Sequence, residues 1–300
     1  MPETSTSDGI MPTQTTQTPA PPSSNNAPNA TDVARTYYNS TDADTFYHTF
    51  WGGEDLHIGI YTSEDDSIAT ASRRTVERMA ATVGPITSET RVLDMGAGYG
   101  GAARYLARTY GCHITCLNLS EVENERNRVK TKEQGLKHLI NVVEGSFEKM
   151  PVPDHAFDLA WSQDAFLHSG DRPAIVAEID RVLVKERGKV VFTDPMAAKG
   201  VSPEGLKPIL ARLQLGSLGS LASYRREFQQ RGFSDMGFEE LTEQLVNSYS
   251  KVLKELERQE EQLKGKISDE YVKNMKTGLS QWVNGGKNGQ LCWGIMHFQR

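Results

Sequence analysis

The sequence predicts an α/β fold: a seven-stranded, mostly parallel sheet with helices on both faces, an N-terminal helical lid and a helical insertion before the last strand. Three observations predict it. From Arg91 to Pro195, short β-type runs alternate with helix-patterned stretches, as in a parallel sheet covered on both sides. The glycine-rich and polar segments stand at the carboxyl ends of those runs, where such sheets bind ligands. After Met196 the alternation yields to a long amphipathic pattern, with Leu245, Tyr249, Val252, Leu253, Leu256 and Leu263 at helical spacing.

A chain of 300 residues holds one large α/β domain with additions, or two small ones. A net charge of −6 argues against nucleic acid or an anionic membrane as partner. No apolar run is long enough to span a bilayer. Three cysteines, Cys112, Cys116 and Cys292, are an odd and sparse set that suits a reducing, cytoplasmic setting. Cys112 and Cys116 flank His113, yet on a strand the two thiols face one way and the imidazole the other. They read as small core residues, and no metal is expected.

The elements follow in order. Residues 1–30 are rich in Ser, Thr, Pro and Asn and form an expected disordered tail. Residues 31–83 form an expected helical cap. Its stretch Arg35 to Tyr61 carries Tyr37, Tyr38, Phe46, Tyr47, Phe50, Trp51 and Tyr61. That aromatic density suits either a helix anchored on the domain edge or a lid over a cation, since aromatic faces attract cations. Ser63 to Thr82 reads as a helix with Ser63 as N-cap and the acids Glu64, Asp65 and Asp66 in its first turn. Residues 84–240 form the expected core. Its strands are Arg91–Leu93, Cys112–Leu117, Ile140–Val143, Phe157–Trp161, Lys189–Thr193 and Met236–Leu241. Residues 241–288 form a helical insertion, a lid or dimer element closed by a turn at Gly285-Gly286. Residues 289–300 supply the last, antiparallel edge strand.

The chemistry begins at Asp94-Met95-Gly96-Ala97-Gly98-Tyr99-Gly100-Gly101, between the first strand and a helix. The glycines let a ligand approach the main chain. A glycine-rich turn that binds nothing is the plain alternative. Here an acid precedes the glycines. It would repel the pyrophosphate of a dinucleotide but suits a cationic amino-acid moiety. The segment resembles motif I of the class I methyltransferases, which are Rossmann-like and use S-adenosylmethionine, yielding S-adenosylhomocysteine. The resemblance implies cofactor contacts from Asp94, Gly96, Ala97, Gly98 and Gly100. At the second strand end it implies Asn118 and Leu119 at the ribose, with Asn118 where the class usually has an acid. At the third it implies Ser146 and Phe147 at the adenine.

A narrower likeness rests on Tyr37-Tyr38, Trp51-Gly52-Gly53-Glu54-Asp55, His57-Ile58-Gly59, Asn118-Leu119-Ser120 and Trp161-Ser162-Gln163-Asp164-Ala165-Phe166-Leu167-His168. Together these resemble the sarcosine/dimethylglycine N-methyltransferases, which make glycine betaine as an osmolyte. The likeness runs from about Thr31 to the C-terminus. It implies a small-molecule amine substrate, a monomer or homodimer, and Tyr37 and Gln163 near the cofactor. Phosphoethanolamine N-methyltransferases are similar over the same core, and from them Asp164 is expected to hold the substrate amine. His168, with Tyr37 or Tyr38, is expected to assist deprotonation, and Tyr38 stands as a catalytic candidate beside Asp164 and His168. If the segment is helical, Asp164 and His168 share a face. The plain alternative is that Asp164 caps a helix and His168 packs in the core. A quaternary ammonium product calls for aromatic walls, for which Tyr47 and Trp51 are candidates. The substrate carboxylate needs a cation or several donors. Arg172, Arg212, Tyr224 and Arg225 are available, and the sequence does not choose among them. The competing functions are another small-amine or phosphobase methyltransferase, a lipid carbon methyltransferase, a non-catalytic S-adenosylmethionine-binding protein and a nucleotide dehydrogenase.

Overall fold

The computed structural model describes residues 29–51 and 54–300. The expected tail lies outside the described residues apart from Asn29 and Ala30, as do Gly52 and Gly53.

The elements in chain order are α1 (Ala30–Tyr38), α2 (Thr41–Phe50), α3 (Ile68–Thr82), β1 (Arg91–Met95), α4 (Gly101–Tyr110), β2 (His113–Asn118), α5 (Glu121–Glu133), β3 (Ile140–Glu144), β4 (Leu159–Gln163), α6 (Arg172–Val182), β5 (Lys189–Thr193), β6 (Met196–Ala197), α7 (Pro203–Leu210), α8 (Leu221–Gln230), β7 (Ser234–Glu240), α9 (Thr242–Leu263), α10 (Asp269–Lys287), β8 (Leu291–Cys292) and β9 (Gly294–Gln299). Seven strands form one sheet in the order β3-β2-β1-β4-β5-β9-β7, and β6 pairs with β8 in a small ribbon. The pairs from β3 across to β5 are parallel, while β9 runs antiparallel to both β5 and β7. The chain moves to opposite sides of β1 on leaving β2 and entering β4. That switch point opens a crevice at the carboxyl ends of the strands.

Apolar side chains pack on both faces of the sheet. Leu93, Ala160, Val190 and Phe192 join α6 and α8 on one side. Val92, Ile114, Trp161 and Val191 join α3 and α4 on the other. A third cluster binds α2 to α7, α9 and α10 through Phe46, Trp51, Leu245, Leu256, Leu279 and Trp282. The insertion thus forms a second layer with the N-terminal helices, above the strand ends. Cys112 and Cys116 are buried in the core while His113 is exposed. Burial pushes the Cys112 thiol up to about 11.

The structure corrects the sequence expectations in five places. The last strand is interior, because β7 pairs with β9 and takes the edge. The helix expected from Ser63 begins at Ile68 with Ser67 as its cap, and its first turn holds no acid. Asp66 instead gathers the N–H groups of Thr62 and Ser63 and the guanidinium of Arg74, which folds the acidic run into a turn. The fourth strand begins at Leu159, with Phe157 making only an isolated bridge to Leu183. The insertion is two helices, and Gly285-Gly286 lies inside the second. A Cβ at Gly285 would stand 2.6 Å from Ile209 Cδ1, and one at Gly286 would stand 2.5 Å from Val246 Cγ2. Close helix packing, not a turn, is what those glycines serve. Finally, Asp164 is not helical. It sits at φ 51°, ahead of a single 3-10 turn, Phe166–His168.

Candidate active site

One cavity collects the strand ends and the lid. Its walls include Thr31, Ala34 and Tyr38 from α1 and residues 54–57 of the following loop. The ends of β1 to β4 and the helix starts after them supply the rest: Asp94, Gly96 to Gly98, Gly101 and Ala102, Asn118 to Ser120, Glu123, Gly145 to Phe147, and Gln163 to Ala165 with His168. Of the residues expected at the site, Tyr38, Asp94, Gly96, Ala97, Gly98, Asn118, Leu119, Ser146, Phe147, Gln163, Asp164 and His168 meet here.

At the floor, Gly96 adopts φ 75°, a conformation glycine reaches without strain. A Cβ there would overlap Ala165, so only glycine lets the β1 and β4 ends close together. Asp94 is 3% exposed, and its Oδ2 is buried without a donor. Burial, and after it the charge of Asp55, hold its carboxyl up at about 7, against the pull of His57. The Asn118 Nδ2–H donates to Glu123 Oε2 at 2.9 Å. Glu123 is also buried and pushed up to about 7, mainly by desolvation. It lines the cavity although the sequence reading did not include it. The available signal was an acid in the first turn of α5, one turn beyond Asn118. Asp94, Glu123 and Asp164 have no Lys or Arg partner among the described residues, so this wall of the cavity suits a positively charged group. The Gln163 amide oxygen accepts from the Trp161 indole at 3.0 Å, and its Nε2 is buried without an acceptor.

Asp164 closes the loop onto the sheet. Its Oδ2 accepts from the Ile58 N–H and its Oδ1 from the Trp293 indole, both at 2.7 Å. Desolvation raises its pKa against those bonds. It is neither a helix cap nor free, although it remains at the wall. At the lid, the Tyr38 hydroxyl lies 2.9 Å from His168 Nε2. Desolvation, with the charges of Arg212 and Arg172, lowers the His168 pKa to about 3. The imidazole is therefore neutral and can accept the phenol's hydrogen bond. The bond also joins α1 to the end of β4.

Other expected residues lie outside the cavity wall. Gly100 packs on α5, where a Cβ would overlap the Asn127 amide, so it serves helix packing. Tyr37 bonds the hydroxyls of Tyr47 at 3.3 Å and Tyr271 at 3.2 Å. Tyr47 stands behind Tyr38, ring centroids 5.7 Å apart. Trp51 donates its indole N–H to the His57 carbonyl and anchors the loop. Tyr224 is 1% exposed and donates to Asp194 at 2.8 Å within the sheet core. That placement overturns the expectation of Tyr224 as a substrate residue, because its hydroxyl is spent on a buried acid.

A cationic amino-acid cofactor fits this chemistry. An orphaned carboxylate, a glycine floor and a second buried acid lie along one cleft. Among the described residues there is no cluster of three metal-ligating side chains and no helix long and apolar enough to cross a membrane.

Residues 93–192 match the family model described as a methyltransferase domain. The chain is 57% identical over 269 residues to the glycine/sarcosine/dimethylglycine N-methyltransferase of Actinopolyspora halophila, covering 90% of this chain and 47% of that protein. It spans only about half of that relative. It is 52% identical over 272 residues to the sarcosine/dimethylglycine N-methyltransferase of Halorhodospira halochloris, covering 90% of this chain and 97% of that one. Among solved structures, a Galdieria sulphuraria protein superposes with a TM-score of 0.83 at 42% identity, covering 88% of this chain and 98% of its own.

Proposed function

The chain belongs to the sarcosine/dimethylglycine N-methyltransferase family, and from that premise we propose that it methylates the nitrogen of sarcosine and dimethylglycine to give glycine betaine. The observation that carries this reading is a single cleft holding both the unpartnered buried carboxylate of Asp94 and the neutral Tyr38–His168 pair.

The cofactor S-adenosylmethionine supplies, when bound, an electrophilic methyl group on a sulfonium. Asp94 would receive its ammonium, with Gly96, Ala97 and Gly98 letting the main chain come close. Asn118 and Glu123 would receive the ribose hydroxyls, with Glu123 providing the carboxylate that the strand end lacks. Leu119, Ser146, Phe147 and Gln163 would border the base.

The substrate amine reacts through its lone pair, so a protonated amine must first lose a proton. The amine loses that proton to solvent and docks neutral; the Tyr38 O–H donates to His168 Nε2, which leaves the phenol oxygen's lone pairs facing the amine. The low pKa of the imidazole keeps it neutral, so it positions the phenol and does not act as the base. Asp164 fixes the loop over the site through Ile58 and Trp293. Tyr37 and Tyr47 back the Tyr38 ring, and this aromatic wall suits the methylated ammonium product. The close of the lid excludes water and aligns amine with methyl.

The test is methyl transfer from labelled S-adenosylmethionine to glycine, sarcosine, dimethylglycine and phosphoethanolamine in parallel. Turnover of sarcosine and dimethylglycine is expected. Turnover of phosphoethanolamine alone would overturn the assignment.

A further inference from the structure

No residue lining the cavity is Lys or Arg, yet the proposed substrate carries a carboxylate. Three arginines stood open as its partner. Arg225 pairs with Asp235 at 2.6 Å. Arg172 donates to the Leu167 carbonyl and to the Ser217 carbonyl and hydroxyl. Arg212, on the 3-10 turn after α7, has no carboxylate within 4 Å among the described residues. Its Nε is buried without an acceptor, its Nη1 meets the Met275 sulfur at 3.8 Å, and the neutral Tyr47 hydroxyl also bonds the guanidinium.

The position of Arg212 is nonetheless fixed. Its guanidinium carbon lies 5.6 Å from the Tyr249 ring centre and 5.7 Å from that of Trp282. Its stem crosses α10 at Gly278, where a Cβ would stand 2.6 Å from Arg212 Cβ. The surrounding phenols Tyr37, Tyr38, Tyr47 and Tyr249 are all pushed above their ordinary range, mainly by burial. They stay neutral and do not compensate the cation. Met275 touches both Arg212 and the Tyr37 hydroxyl, each at 3.8 Å, and the Tyr37 ring packs on Tyr38 with centroids 5.0 Å apart, which places the cation behind the phenol at the reacting nitrogen. An enclosed cation without an anion is costly, and an anion arriving beside it is bound correspondingly well.

We infer that Arg212 is the carboxylate-binding residue of the site, so that an N-methylated α-amino acid docks with its amine at Tyr38–His168 and its carboxylate on the guanidinium. The inference rests on the proposed function and names the substrate group that the cavity wall leaves unmatched.

Arg212→Met keeps the stem and removes the charge. Its KM for dimethylglycine is expected to rise by about 30-fold with kcat changed by less than about fivefold, the loss of a charge-assisted contact. The rate on 2-(dimethylamino)ethanol, which lacks the carboxylate, is expected to stay within about twofold, and Arg212→Lys to recover most of the loss. An equal change on both amines, or an unchanged KM for dimethylglycine, would overturn the inference. S-adenosylhomocysteine should raise the melting temperature of Arg212→Met as it does that of the unaltered protein. If it does not, Arg212→Lys carries the test, and a KM increase confined to dimethylglycine is then the supporting result. Absence of dimethylglycine turnover by the unaltered protein would overturn the functional reading, and this inference with it.

Discussion

Tyr38 reaches His168 from the first helix of the chain across 130 positions of sequence. Tyr38 and His168 hold each other through one hydrogen bond, which is lost when either is removed, so their losses should not add. Tyr38→Phe is expected to lower kcat by about 100-fold, His168→Ala by a similar factor, and the double variant by no more than either. Binding of S-adenosylhomocysteine, read by calorimetry, should stay within about twofold, because neither group reaches the cofactor floor. A double variant with multiplied losses would mean that the two act separately. The sequence left either Tyr37 or Tyr38 as the partner of His168 and put Tyr38 forward for catalysis and Tyr37 for the cofactor. Successive residues of a helix point about 100° apart, so only one of the pair could face the cleft. Tyr37 turns instead to Tyr47 and Tyr271. Glu123 escaped notice because an acid in a helix's first turn ordinarily serves the helix dipole. Arg212 could not be chosen, since a missing counter-ion is visible only in three dimensions.

At the scale of elements, strand ends were legible and helix packing was not. The apolar runs of β1 to β5 follow from β-branched and aromatic residues buried on both faces. Gly285 and Gly286 looked like a turn because glycine breaks isolated helices, whereas here Ile209 and Val246 occupy the space of the missing side chains. The sign of a substitution separates the two readings. In an exposed helix, glycine to alanine stabilises by up to about 1 kcal/mol. Gly286→Ala should instead destabilise by roughly 1–3 kcal/mol, as overpacking does. The midpoint of urea unfolding reports which holds, and a raised midpoint would refute the packing account. Strand order was not readable either. The pattern of Leu291 to Phe298 gave a strand, but which neighbours it joined depended on the two-helix layer before it.

Across the whole molecule, several buried acids share one consequence for pH. Asp94, Asp194 and Glu123 are held up at about 7, above their ordinary values of 3.8 and 4.5. Between pH about 4 and 7 the unfolded chain releases these protons while the folded chain retains them, so folding stability falls as pH rises through that window. A cofactor ammonium beside Asp94 favours its ionised form and offsets part of the loss. The rise in melting temperature caused by S-adenosylhomocysteine should therefore be larger at pH 8 than at pH 5, and Asp94→Asn should shrink that difference. A rise independent of pH would remove Asp94 from the ammonium site. The interior position of β9 has a consequence in time. Among the described residues β7 pairs with no strand but β9, and residues 241–293, which carry α9 and α10, are synthesised between them. On a translating ribosome β7 waits roughly 3 to 10 s for its partner. It carries the acids Asp235, Glu239 and Glu240 along its length, and such acids keep a strand with open hydrogen-bonding edges from joining a neighbouring nascent chain.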